Sequence, residues 1–315
     1  MNAYPTANDP RYKILLIVVY YGSWPPWFPA YLESCRTNET IDWLFITDCA
    51  NPPSAPSNVK FTASTRENLI EMVTKRLAID VVIPSNRKLC DIRPIYGVIF
   101  DNHIQGYDFW GFCDVDVIWG NIRHFYTDEI LAKYDAISAR KSRLSGHFTL
   151  LRNCNKINLA FWDYPSLVKI LVNPAYCWFD EQGFSDHLAS RPSISILWDL
   201  FRVNFARFVD DRPSILSWMD RYRWKNGRLY SVSEGSTEIM YLHFMNWKDS
   251  LAWCDLSYGE HVEEFDISYC SITKDGGSAP LNYRLTSRIK TIKNPRYYAL
   301  GLYRRILKLV SKNKH

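Results

Sequence analysis

Lys13 to Tyr21 reads KILLIVVYY, eight apolar or aromatic residues behind a single lysine. A run so rich in branched side chains has no polar face to turn to water. It suits a strand buried on both sides, and such strands belong to parallel sheets covered by helices. Gly22 to Pro29, GSWPPWFP, then turns the chain. Ala30 to Asn38 predicts a helix, and Ile41 to Thr47 a second buried strand ending at Asp48. A β-α-β opening of this kind points to an α/β fold.

The rest of the chain continues the alternation. A short strand is expected over Val59 to Thr62 and a helix over Thr65 to Ala78, with Ser64 or Thr65 as its cap. Pro94 marks a helix start, and that helix would run through Asn102. Further on, Asp128 to Tyr134 predicts a helix, Ala136 to Ala139 and His147 to Arg152 strands, and Lys156 to Trp162 and Tyr164 to Val172 helices. Ile194 to Arg207 is apolar and aromatic, Leu229 to Val232 is a strand, and Glu238 to Lys248 is a strand leading to a polar exit. With 315 residues, 47% of them hydrophobic, one large or two merged units can be buried. No apolar run approaches the roughly 20 residues that span a bilayer, and no cleavage-type signal is visible, so a cytoplasmic chain is expected. The eight cysteines show neither CxxC pairs nor zinc spacing and are read as reduced core residues.

One stretch carries chemistry. Gly106 to Asn121, GYDFWGFCDVDVIWGN, sets a buried strand, Phe109 to Phe112, against Asp114 and Asp116, with a second apolar run, Val117 to Trp119, behind them. Ionised carboxylates beside Phe, Trp and Val lose hydration that partners or a metal must replace. No Lys or Arg lies between Arg93 and Arg123 to pair them locally. Hard divalent cations take such oxygen ligands, one or two carboxylates together with substrate phosphates; the plain alternative is a turn with two solvated acids. Ligands of open α/β sheets gather at the carboxyl ends of strands, where Tyr20, Tyr21, Asp48, Asp114 and Asp116 all fall.

In order, KILLIVVYYG, FWGFCDVDVIWG, FDEQGFSDHL (Phe179 to Leu188) and LHFMNWK (Leu242 to Lys248) resemble the metal-dependent GT-A fold glycosyltransferases, in particular bacterial enzymes of surface-polysaccharide synthesis. The resemblance covers about residues 13 to 250. It implies a Rossmann-like, mixed but mostly parallel sheet flanked by helices, with a C-terminal helical extension. Residues 1–122 would be the nucleotide-sugar half, 123–275 the acceptor half and 276–315 a basic extension. In that fold the Asp-x-Asp motif, here Asp114 and Asp116, holds Mn or Mg on the diphosphate of a nucleotide sugar, most often a UDP-sugar. The family's late histidine and lysine correspond to His243, as a third metal ligand, and Lys248, reaching a phosphate. Its glycine and proline beside them are absent here.

The same resemblance places Asp180 and Glu181 near the anomeric carbon, Glu181 standing where the family has glutamine, with Asp186 a further candidate. A carboxylate there could act as base or nucleophile where an amide could not; the plainer reading is a helix N-terminus enriched in acids. Lys88 and Arg93 fall on the segment facing the nucleotide, where a cation holds phosphate or base, and Asp48 where uracil or ribose is received. Arg140, Lys141 and Arg143 form a basic loop before His147. Rival readings are a nucleotidyltransferase using the same acids, and a non-catalytic carbohydrate-binding or assembly protein stacking its 12 Trp and 20 Tyr on sugars.

The net charge of +5 is unevenly placed. Residues 276–315 hold ten Lys/Arg and no acid, leaving 28 bases against 33 acids before them. Tyr298 to Val310 patterns as a basic amphipathic helix, expected to lie on the inner face of a membrane. No nucleic-acid motif accompanies that charge, so no nucleic-acid partner is expected.

Overall fold

The computed structural model describes residues 10–198, 220–232 and 235–292. Its main sheet contains β1 (Ile14–Tyr20), β2 (Ile41–Thr47), β3 (Val59–Ala63), β4 (Phe109–Cys113), β6 (Ala136–Ser138), β7 (Phe148–Arg152) and β8 (Ile196–Trp198); β5 (Val117–Trp119) lies off it. The strand order β3-β2-β1-β4-β7-β6-β8 is parallel except where β7 pairs β4 and β6. The protein is therefore α/β with a mixed, mostly parallel central sheet flanked by helices. Along β1, Ile14, Leu16 and Val18 enter one core while Leu15 and Ile17 enter the other. That is why the run carries no polar residue: both faces are inside.

One face is covered by α1 (Phe28–Arg36), the short helices Ile122–Phe125 and Asp128–Lys133 and a second layer, the other by α2 (Arg66–Leu77) and the short helices within residues 88–104 and 155–189. Thr65 caps α2, its side chain accepting from Asn68 N. Asn38, which sits in an apparent glycosylation sequon, is buried and donates to the carbonyls of Ser34 and Gly120.

The second layer is a six-stranded sheet that the sequence reading did not resolve. It is built from β9 (Tyr222–Lys225), β10 (Arg228–Ser231), β11 (Thr237–Ile239), β13 (Trp253–Cys254), β14 (Glu264–Ile267) and β15 (Ser271–Lys274). Asn226 (φ 48°) and Gly227 (φ 77°) form the two-residue turn between β9 and β10, a geometry that Asn-Gly favours. Trp224 and Phe265 stack at 4.9 Å and bury themselves, with Leu229, against the main sheet. Truncating either ring is expected to cost about 3–5 kcal/mol.

Three expected elements break. The helix expected over Lys156 to Trp162 is two single turns, Asn155–Asn158 and Ala160–Asp163. The helix expected from Pro94 to Asn102 is a 3-10 stretch, Lys88–Ile95, followed by two single turns, Tyr96–Ile99 and Asp101–Ile104. Pro94 lies inside the first, where its missing N–H interrupts the α pattern. The strand expected from Glu238 to Lys248 divides at Met240, whose carbonyl accepts from Gly120 N. β11 stays in the second sheet while β12 (Tyr241–His243) pairs antiparallel with β5. Gly120 makes this crossing possible, since a Cβ there would stand 2.7 Å from Ile239 O. The amphipathic segment Tyr298 to Val310 and most of Ile194 to Arg207 lie outside the described residues.

Candidate metal centre

The parallel register sets Tyr20, Thr47 and Cys113 at one edge of the sheet, and antiparallel β7 starts at that edge with His147 just before it. Asp114 follows β4, its N–H bonded to His147 O. Two residues on, the chain has turned onto β5, and Val115 O accepts from the buried Trp27 indole. The β5–β12 ladder pairs Val117 with His243, and Phe244 N donates to Asp116 O. Backbone pairing thus carries His243 to the two acids across a long stretch of sequence. One ligand atom from each of Asp114, Asp116 and His243 lies within 4.8 Å of the others.

Asp116 is wholly buried, with Oδ2 held in an ion pair and Oδ1 without a hydrogen-bond partner. Its compensation is ionic: Lys248 Nζ stands 2.8 Å and His243 Nε2 3.3 Å from Oδ2. Burial pulls its pKa upward, but His243 and Lys248 outweigh that and hold it below the usual carboxylate range. A buried carboxylate that keeps its charge and has unused lone pairs is a place for a cation. With Asp114 half-exposed beside it and an imidazole nitrogen opposite, the donor set is two oxygens and one nitrogen, which fits a divalent cation.

The acids lack local bases in sequence, yet both are paired from a distance. Arg93 NH2 contacts Asp114 Oδ1, while NH1 reaches Asp180 Oδ2 at 3.2 Å and Gly146 O at 2.9 Å. Asp180 is buried and also accepts from the Tyr176 hydroxyl at 2.9 Å. Burial pushes its pKa up to about 7 against the pull of Arg93, with Glu181 adding to the rise. Glu181 accepts from Arg140 at 3.0 Å and from Gly146 N at 3.1 Å. Asp180 and Glu181 therefore join the metal candidates through Arg93 and the Gly146 loop. Gly146 leaves the room: a Cβ there would lie 2.7 Å from Arg93 NH1 and 3.1 Å from Glu181 Oε1.

The other expected residues divide. Tyr20 is close enough to Lys248 and Asp116 for both charges to act on its hydroxyl, which donates to Ser23 O. Asp48 caps the first turn by accepting from Gly22 N, and Tyr21 is buried with its hydroxyl on Thr65 O. Asp186 is exposed on the helix Phe184–Ala189, with no side-chain hydrogen bond or ion pair among the described residues. Lys88 does not face the site. Its three donors go to Asp91 Oδ2, Ile170 O and Ala175 O, and its side chain is buried. Asp91 in turn accepts from Cys177 N and Phe179 N. The pair anchors the segment leading into Asp180.

Three partners were not foreseen. His147 stacks on His243 at 4.3 Å, and its Nδ1 lies 2.6 Å from the Tyr241 hydroxyl. Burial, then the charges of His243, Arg140 and Arg93, hold His147 well below the ordinary histidine range, so its ring is neutral. Tyr176 is the third, through Asp180. The alternation in Tyr241-Leu242-His243 was the only signal that Tyr241 and His243 share a face.

Fold and site together define an α/β protein with an Asp-Asp-His donor set at the carboxyl edge of a mostly parallel sheet. Residues 16–268 match the family described as a family of unknown function, DUF6625, and the chain belongs to that family. No curated protein matches it by sequence. Among solved structures it is similar to the galactosyltransferase LgtC in complex with donor and acceptor sugar analogs, at 10% identity and TM-score 0.38, over 74% of this chain and 87% of that one. An active-site mutant of LgtC gives 10%, 0.36 and the same coverage. The glycosyltransferase GlyE of Streptococcus pneumoniae gives 11% and 0.30, over 60% of this chain and 45% of that one.

Proposed function

We propose that this protein is a metal-dependent glycosyltransferase that moves a sugar from a nucleotide donor, a UDP-sugar, onto a glycan or lipid-linked acceptor. The observation that carries the reading is Asp116: charged, fully buried, with Oδ1 unpartnered, and facing His243 and Asp114. Asp114, Asp116 and His243 would hold Mn or Mg, which when bound supplies a Lewis acid for the charge gathering on a leaving diphosphate.

The chain's own groups do the rest. Lys248, half-exposed and close to Asp116, is a cation available to a phosphate oxygen. Arg93 holds Asp114 and Asp180 in fixed relation, so the metal candidates and the central acids share one rigid fork. Glu181, oriented by Arg140 and Gly146 N, is the base or nucleophile candidate, and Asp180 positions it beside the donor sugar. Tyr20 and Asp48 border the nucleotide side. Residues 1–122 would form the donor half and 123–275 the acceptor half. The reading extends to surface-polysaccharide synthesis at the inner face of a bacterial membrane, with residues 276–315 as the contact. Among the described residues no helix is long and apolar enough to cross a membrane.

Titration calorimetry of UDP with and without Mn tests the core of this. Metal-dependent UDP affinity that is lost in Asp116→Asn is expected, followed by metal-dependent hydrolysis of one nucleotide sugar in a screen. UDP binding indifferent to metal would refute it.

A further inference from the structure

Trp178 stands just before the central acids with a left-handed backbone, φ 55° and ψ 32°. Bulky side chains rarely adopt that conformation, whereas glycine takes it freely. The cause is Asp91. Its one buried carboxylate accepts from the amides on either side, Oδ2 from Cys177 N at 2.8 Å and Oδ1 from Phe179 N at 2.9 Å. Lys88 ties down the same segment through Ala175 O at 3.1 Å. Phe179 and Asp180 are thereby buried, while the indole of Trp178 is turned outward and stays 50% exposed. A fold that needed only the turn would be served by glycine at this position. Strain held beside an acid pair, with a large ring left open, points to use of the ring.

The neighbours of the ring say what it would meet. Tyr176 and Trp178 lie with centroids 4.9 Å apart, and the Arg87 guanidinium sits over both, 5.2 Å from the first and 5.8 Å from the second. Arg87 is exposed and, among the described residues, has no ion pair and no side-chain hydrogen bond. A guanidinium stacked on rings keeps its N–H donors, which lie in its own plane, available. The Tyr176 hydroxyl is bonded to Asp180 Oδ1 at 2.9 Å, and Asp180 Oδ2 to Arg93, which also holds Asp114. An unbroken chain of contacts thus joins the metal candidates to this aromatic platform. The open indole offers a flat apolar surface for the C–H face of a pyranose, and the guanidinium beside it favours an anionic oxygen.

We infer that Trp178, Tyr176 and Arg87 form an acceptor subsite for a sugar bearing an acidic group, its ring laid on the indole and its carboxylate or phosphate taken by Arg87. The inference rests on the glycosyltransferase reading, which it deepens by naming the class of acceptor.

The test uses the full chain with Mg and UDP present, and three sets of probes followed by saturation-transfer NMR and titration. These are the methyl glycosides of glucose, galactose and mannose, the corresponding uronides and the corresponding 6-phosphates. At least one acidic probe is expected to bind about tenfold more tightly than its neutral counterpart, as one charge-assisted contact supplies. Preference for a uronide makes the acceptor a uronic-acid glycan, and preference for a 6-phosphate a phosphorylated one. Arg87→Gln should erase the preference and leave the neutral sugar's affinity as it was. Trp178→Gly should weaken every probe by about tenfold or more while melting within a few degrees of wild type, since glycine suits the left-handed backbone. Should it melt early, Trp178→Asn, which also tolerates that backbone, takes its place under the same expectation. No acidic probe bound by the wild type, an acid preference that survives Arg87→Gln, or full affinity in the Trp178 variant would each overturn the inference. UDP affinity with and without metal, read in the same chain, keeps the two readings apart. Its indifference to metal overturns the glycosyltransferase reading, while probes that fail against intact metal-dependent UDP affinity overturn the subsite alone.

Discussion

Asp116→Asn removes one charge and almost no volume. In the metal-free chain the carboxylate is buried, Oδ1 has no partner, and only Lys248 at 2.8 Å and His243 at 3.3 Å from Oδ2 offset its lost hydration. Lys248 is 46% exposed, so it returns to water once its partner is neutral, and buried His243 keeps Asp114 Oδ2 at 3.9 Å. The substitution therefore strands no buried charge, the situation that costs about 3–5 kcal/mol. The metal-free variant is expected within about 1 kcal/mol of wild type, or roughly 2–4 °C for a chain of this size. Mn and UDP at about a hundred times their dissociation constants should add about 2.7 kcal/mol to a protein that binds them only when folded. That is on the order of 5–10 °C in a thermal scan of the wild type, and none is expected in the variant. Two results would refute the reasoning. A variant that keeps the Mn–UDP shift has its metal elsewhere, and a metal-free variant that melts more than about 10 °C early has lost a structural ion pair.

Asp180 is pushed up to about 7 by burial, so between its unfolded value near 4 and that point the folded chain keeps a proton the unfolded chain has released. Stability then falls as pH rises through that window. Asp180→Asn should be more stable than wild type by a few kcal/mol at pH 8 and about equal at pH 4 in urea melts; parallel profiles would count against it. Glu181→Gln should keep UDP affinity and lose turnover, since the loss would fall on the transition state, and equal kinetics would make Glu181 a loop anchor. Gly146→Ala drives a Cβ to 2.7 Å from Arg93, so a loss of about 1–3 kcal/mol together with weaker Mn affinity is expected. Deleting residues 295–315 should leave donor hydrolysis intact and release the protein from anionic liposomes; sedimentation of the truncated chain with them would end the membrane reading.

The strands that lead to the site could be read directly, because burial on both faces leaves an apolar signature that is continuous in Ile14–Tyr20 and Phe109–Cys113 and interrupted by Asp42 in Ile41–Thr47. The second sheet was hidden for the opposite reason. Its strands are two to four residues long, and Tyr-Arg-Trp-Lys at 222–225 alternates too briefly to stand out. Two of them, at Leu229 to Val232 and from Glu238, are legible as strands; the other four carry no such signal. Lys88, expected to face the nucleotide, is instead buried with Asp91 three residues on, a pairing that only the fold brings out. The pairing of Arg93 with Asp114 and Asp180 could not be read either: the three residues lie 21 and 87 positions apart. Nothing local records their meeting.

The ladder between Val117–Trp119 and Tyr241–His243 has a consequence for the order of events during synthesis. A growing chain possesses both aspartates long before the strand bearing His243 leaves the ribosome. Until that strand returns, β5 is an open edge, and Asp116 has neither His243 nor Lys248 beside it. Contacts of such wide separation close late. Completion of the donor set therefore coincides with the last sheet pairing of this region, so a nascent or prematurely ended chain carries the acids without the centre they build.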